Sequence, residues 1–179
     1  MYLVKSISTE EFKSLNSIYF SNILEGLNNY HNLTLNLNVK KNPHKYLSDL
    51  LSNIFEINKG NFYIDFYKNN LDEKSIDYIR NKISADNLDY FNTLLTEVNS
   101  DTIFYKVLDK KIIPLIAELS SREIFFITYY STLYPISIWG NYNLQFPCFF
   151  NDQATMDFYS HHFSWKNKIL FSLSFMPKP

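Results

Sequence analysis

Cysteine is almost absent. Cys148 stands alone among 179 residues, so no internal disulfide can staple the chain, and its stability has to come from a packed core. Glycine is nearly as scarce: Gly26, Gly60 and Gly140 lie far apart, which excludes a P-loop and any GxGxxG turn, because both need closely spaced glycines to bring backbone N–H groups onto phosphate. Neither HExxH nor GxSxG can be written, and four histidines with one cysteine provide no paired-ligand zinc pattern. No cofactor is implied. A basic excess is missing as well. The net charge is −1, so nothing favours direct binding to nucleic-acid phosphates. The opening MYLVKSISTEEF lacks the basic segment, apolar run and small-residue cleavage site of a secretory leader; the expectation is a cytoplasmic protein.

What is present suits a globular fold. Hydrophobic residues make up 46% and charged residues 20%, far from the profile of disorder, and the length suits one domain over residues 1–179. Ser8-Thr9-Glu10-Glu11 reads as a capping box, and Phe12, Leu15, Tyr19, Ile23 and Leu27 then recur at helical spacing, which predicts one helix as far as Asn28-Asn29. Leu33, Leu35, Leu37 and Val39 alternate with polar residues, as in a strand with one buried face. Tyr46/Leu47, Leu50/Leu51 and Ile54/Phe55 predict an amphipathic helix that stops before Gly60. FYIDFY at 62–67 is ambiguous. Ile76, Ile79 and Ile83, then Leu88, Phe91, Leu95 and Val98, predict two short helices meeting near 84–86, with Asp72 and Glu73 in the first turn of the former. TIFYKVL suits a strand, and IIPLIAEL a short helix with Pro114 in its first turn.

The C-terminal third reads differently. Residues 123–130 suit a strand, 131–135 a turn, and 136–139 a second strand. Phe146 to Phe150, interrupted by Pro147, suits an edge strand. A short helix follows around Asp152 to Tyr159, and ILFSLSF at 169–175 suits a half-buried strand. The fold class is therefore α+β: a helical N-terminal two-thirds packed with a mostly antiparallel C-terminal sheet.

Each candidate site has a structural counter-reading. The stretch 125–150 holds ten aromatic residues in twenty-six and no charge. Its two prolines, Gly140 and several polar residues argue against a membrane helix, and without Lys or Arg it does not suit a base-stacking sheet. Core filling is the preferred reading, with Trp139, Tyr142 and Phe146 as its most exposed members and possible partner anchors. Asp157 and His161, four apart with His162 adjacent, could line a pocket between sheet and helices in an enzyme or small-ligand protein; two ligands alone do not make a metal site. Apolar neighbours mark Cys148 as a buried structural thiol. Lys40, Lys41, His44 and Lys45 form a basic cluster that reads as a solvated loop.

Charge is uneven along the chain. Residues 61–101 carry eight Asp/Glu against four Lys/Arg, whereas the flanking segments are slightly basic. That acidic excess, in LDEKSIDYIRNKISADNLDYF, suits a negative surface for a basic partner, with Asp72, Glu73, Asp77, Asp86, Asp89 and Glu97 as the candidate contact residues. In this segment and in overall character the chain resembles bacterial toxin-immunity proteins of the contact-dependent and polymorphic nuclease-toxin type. The resemblance implies a small cytoplasmic, non-enzymatic protein that blocks the active site of a basic protein toxin.

Overall fold

The computed structural model describes residues 2–38, 41–99, 101–140, 143–167 and 171–172. In chain order the elements are β1 (Val4–Ile7), α1 (Thr9–Ser14), α2 (Ile23–Asn29), β2 (His31–Asn36), α3 (Pro43–Ile57), β3 (Phe62–Asp65), α4 (Glu73–Lys82), α5 (Ala85–Glu97), β4 (Phe104–Val107), α6 (Ile113–Ser121), β5 (Tyr129–Ser131), β6 (Ile136–Ile138), β7 (Gln145–Phe150), α7 (Gln153–Asn167) and β8 (Phe171–Ser172). The strands form one eight-stranded sheet in the order β1-β4-β3-β5-β6-β7-β2-β8, and every pairing is antiparallel. The fold is α+β, with the helices mostly N-terminal and the densest run of strands toward the C-terminus.

Strand alternation gives the sheet two buried faces. On one, Phe62, Ile64, Tyr105, Val107, Tyr129, Ile138 and Phe150 pack under α3, α5, α6 and α7 in the main core. The apolar doublets of α3 work as their spacing predicts: Leu47, Leu50, Leu51 and Ile54 are buried, and Gly60, at φ 74°, takes the left-handed turn beyond the helix. Helix α6 lies between α3 and α5 and is buried along nearly its whole length. On the opposite face, residues 8–30 form a cover over two smaller clusters. Phe12 stacks on Phe104 at 3.9 Å and meets Tyr63 and Tyr130 edge-on, while Ile18 and Phe20 bury against Phe149.

That cover corrects the expected single helix. The Ser8 hydroxyl does accept from the Glu11 N–H at 3.0 Å, but α1 ends at Ser14, Leu15 is extended, and α2 starts afresh from an Asn22 cap. Phe12 and Phe20 serve different clusters; an extended link gains more length per residue than a helix and lets both side chains reach the sheet. Where α2 crosses the sheet it carries Gly26, whose missing Cβ would lie 2.7 Å from the Phe20 ring.

Three further differences have physical causes. Of the strand expected at 123–130, only Tyr129 and Tyr130 are strand; at its start the N–H groups of Glu123, Ile124 and Phe125 bond to Ser120 and Leu119 carbonyls and close the end of α6. β7 is interior rather than an edge, paired with β6 on one side and β2 on the other. Its Pro147 is tolerated because the Pro147 carbonyl accepts from the Trp139 N–H at 2.8 Å just past the end of β6, so the missing donor faces a place where the ladder has already stopped. Phe146, expected to be exposed, is fully buried, since in a strand paired on both sides it points into the main core. Of the expected strand at 169–175, Phe171–Ser172 pair with Leu35 and Thr34, and the rest lies outside the described residues, as do Val39, Lys40 and Tyr142.

Candidate functional site

The acidic segment folds into the helix pair α4 and α5. Asp72 is the cap of α4 rather than part of its first turn, accepting from the Ser75 N–H at 2.8 Å and the Ser75 hydroxyl at 2.6 Å; these bonds hold its carboxyl below the ordinary carboxylate range. Ile79 and Ile83, then Phe91, Leu94 and Val98, bury the inner faces of the pair.

Two residues that the sequence reading passed over hold this pair in place. Glu118 of α6 reaches the α4–α5 junction, accepting from the Ser84 N–H and hydroxyl, the Asn87 amide at 2.7 Å and the Arg122 guanidinium at 2.6 Å. Burial pushes the Glu118 carboxyl up, but these donors together outweigh burial and hold it below its ordinary value. Lys68 donates to the Leu95 and Val98 carbonyls, capping the far end of α5. On the surface Arg80 joins the two helices, meeting Asp77 at 3.2 Å and Asn92 at 3.1 Å.

The outer surface of the pair exposes Asp72, Glu73, Asp77, Asp86 and Asp89. Glu97 is differently employed: its carboxylate accepts from the Leu3 and Val4 N–H groups at 2.8 and 2.9 Å and ties α5 to β1. Lys74, Arg80 and Lys82 are exposed on the same two helices, so five carboxylates face three cations and the surface is less negative than its sequence suggests. Beside it runs an open groove of about 380 Å³ lined by apolar Leu71, Ile79, Ile124 and Phe125 together with Asn70, Asp72, Lys74, Ser75 and Tyr78. Tyr78 is 54% exposed, with the Lys82 ammonium 5.7 Å from its ring centre.

Asp157 and His161 lie exposed on α7, Asp157 accepting from the Gln153 amide at 2.8 Å, and the His162 ring stacks on Phe158. The inner side of α7 is filled by Met156, Tyr159 and Phe163. Asn58, fully buried, donates to the Tyr159 hydroxyl and accepts from the Tyr134 N–H, so α7 and the β5–β6 turn are pinned to the end of α3. Among the described residues no three His, Cys, Asp or Glu are grouped to hold a metal ion. Burial pushes the Cys148 thiol up to about 12, as for a structural cysteine. Trp139 is half-buried between Phe20 and Phe126. In the basic cluster, Lys45 pairs with Asp49 at 3.3 Å, and His44 meets the Ser121 hydroxyl at 2.7 Å, its pKa lowered by burial and then by nearby Arg122.

Comparison with protein-family models, with curated proteins and with solved structures found no match. Among the described residues no helix is long and apolar enough to cross a membrane.

The sequence reading also missed Asp65. Only 3% exposed at the end of β3, it accepts from the Thr128 N–H at 2.6 Å and the Tyr130 hydroxyl at 3.3 Å, with the Tyr67 hydroxyl at 3.5 Å. Burial pushes its carboxyl up to about 7 against the pull of those donors. A lone aspartate inside the aromatic run FYIDFY was the available signal.

Proposed function

We propose that the chain is a non-enzymatic, cytoplasmic binding protein that neutralises a basic protein toxin, a nuclease, by covering its active site with the α4–α5 surface. The observation that carries this reading is the pairing, on one buttressed surface, of five exposed carboxylates with a groove edged by an exposed tyrosine. Carboxylates held on fixed helices steer a basic partner and reject acidic ones. A large aromatic beside an apolar groove can bury area at the centre of such an interface with little ordering cost. Glu118 and Lys68 set the two helices before binding, and this preorganisation favours tight association. Because three cations are interspersed, binding should combine charge with groove filling, and high salt should slow association more than it abolishes it.

The test is a pull-down with the tagged chain, followed by a nuclease assay on the captured basic protein with and without the chain. Capture of a basic protein whose nuclease activity the chain inhibits supports the reading, provided that Glu73→Lys, Asp77→Lys and Asp89→Lys together weaken binding by on the order of a hundredfold. Undiminished binding by the triple variant, or a captured protein whose activity is untouched, rules out this surface as the neutralising one.

A further inference from the structure

Asp65 lies on the sheet face that the N-terminal cover packs against. On β3 it shares that face with Tyr63, and across the ladder it pairs with Phe104 of β4. Two of the rings that Phe12 grips adjoin this carboxyl: Phe104 faces it across the ladder and the Tyr130 hydroxyl bonds to it. Phe12 stacks on Phe104 and packs edge-on against Tyr130, whose hydroxyl bonds to Asp65. Tyr19 packs edge-on to both Phe12 and Phe104.

The charges around it leave the carboxyl without a counterion. From the cover, Lys13 holds its ammonium 5.2 Å from the centre of the Tyr19 ring, and Glu11 acts electrostatically on Tyr63. From β4, Lys106 sits 5.9 Å from the Tyr63 ring centre, and Lys5 of β1 is its exposed cross-strand neighbour. The segment entering β5 contributes only Thr128 and Tyr130. Among the described residues the ion pairs do not include Asp65. Tyr67 and Tyr130 are themselves pushed up by burial, Tyr67 to about 12, so both stay protonated around neutral pH and Asp65 is the group that titrates. Thr128 Oγ1, on the residue whose N–H meets the carboxyl, is buried without a hydrogen-bond partner.

We propose that Asp65 is a proton-operated latch: protonated, it lets the cover formed by residues 8–20 close on the sheet, and on ionising it releases that cover. An uncompensated charge cannot stay dry, so water must reach it. The wall that yields is the weaker one. β3 and β4 are bonded on both sides in the ladder, whereas the cover is a six-residue helix and an extended link held mainly by side chains. Local opening follows the least-bonded unit, and lifting the cover admits water to the carboxylate.

Amide hydrogen exchange read by NMR, expressed as protection factors at pH 5.5 and pH 8.5, tests this. Protection at Phe12 and Leu15 should fall about tenfold or more at the higher pH while the β3 and β4 amides hold. Asp65→Asn keeps an acceptor for Thr128 and should abolish the fall. Should that variant not fold, Tyr67→Phe removes one donor to the carboxylate and should move the midpoint of the fall to higher pH. Cover protection independent of pH, the same fall in Asp65→Asn, an unmoved midpoint in Tyr67→Phe, or an Asp65 carboxyl 13C signal titrating at the ordinary value would each overturn the latch.

Discussion

At the scale of single residues, buried polar groups organise this molecule: Asp65 beneath the cover, Asn58 at the end of α3 and Glu118 behind the acidic helices. Asp65 makes stability depend on pH, with a definite sign. Its folded value, about 7, lies above the 3.8 of the free side chain, so the folded chain holds the proton more tightly than the unfolded one. The stabilisation is full below about pH 4 and is lost as pH rises through about 7. The expected loss is on the order of 2 to 4 kcal/mol, the upper figure from a shift of about three pH units. Urea midpoints at pH 5 and pH 8 should show a decline in the native chain that is absent from Asp65→Asn, and parallel profiles would refute the assignment. These residues were hard to find in the sequence because an Asp, Asn or Glu gives no local sign of what it meets after folding. Glu97 makes the same point in reverse: on sequence it belongs with Asp86 and Asp89, yet β1 claims its carboxylate.

Between elements, the helices with sustained spacing, α3, α4 and α5, follow their sequence patterns closely, because each buries one stripe against a neighbour and the stripe is written locally. Some elements that answer to the sheet do not, although β2, β4 and β6 fall where their patterns place them. The pattern from Phe12 to Leu27 reads as one helix until two separate clusters on the sheet draw it out, and residues 123–125 read as strand until the end of α6 takes their N–H groups. The acidic pair depends on a contact made from outside it. Glu118→Ala would leave Ser84, Asn87 and Arg122 without their acceptor, and unfolding free energy should fall by roughly 3 kcal/mol. Partner binding should weaken with it although Glu118 is off the surface, and calorimetric titration of the variant with the captured partner checks this. Unchanged stability would mean that the α4–α5 junction is held by packing alone.

Over the whole molecule, the connectivity interleaves distant parts of the chain in one sheet. β1 closes on β4 about a hundred residues later, and β2 is inserted between β7 and β8, so neither half can complete its own sheet. Urea unfolding followed by near-UV and by far-UV circular dichroism should give coincident single transitions; two separated transitions would refute a single cooperative domain. Residue composition and spacing alone determined the α+β class, the amphipathic helices, the buried thiol and the acidic bias of one helix pair, since each depends on side chains near one another in sequence. Only the tertiary structure decided that β7 is interior, that residues 8–30 split to cover a second sheet face, and that Asp65 and Glu118 are buried. Those outcomes depend on partners dozens of residues away, and what a long-range contact does to a side chain's burial and charge is not encoded in its immediate neighbours.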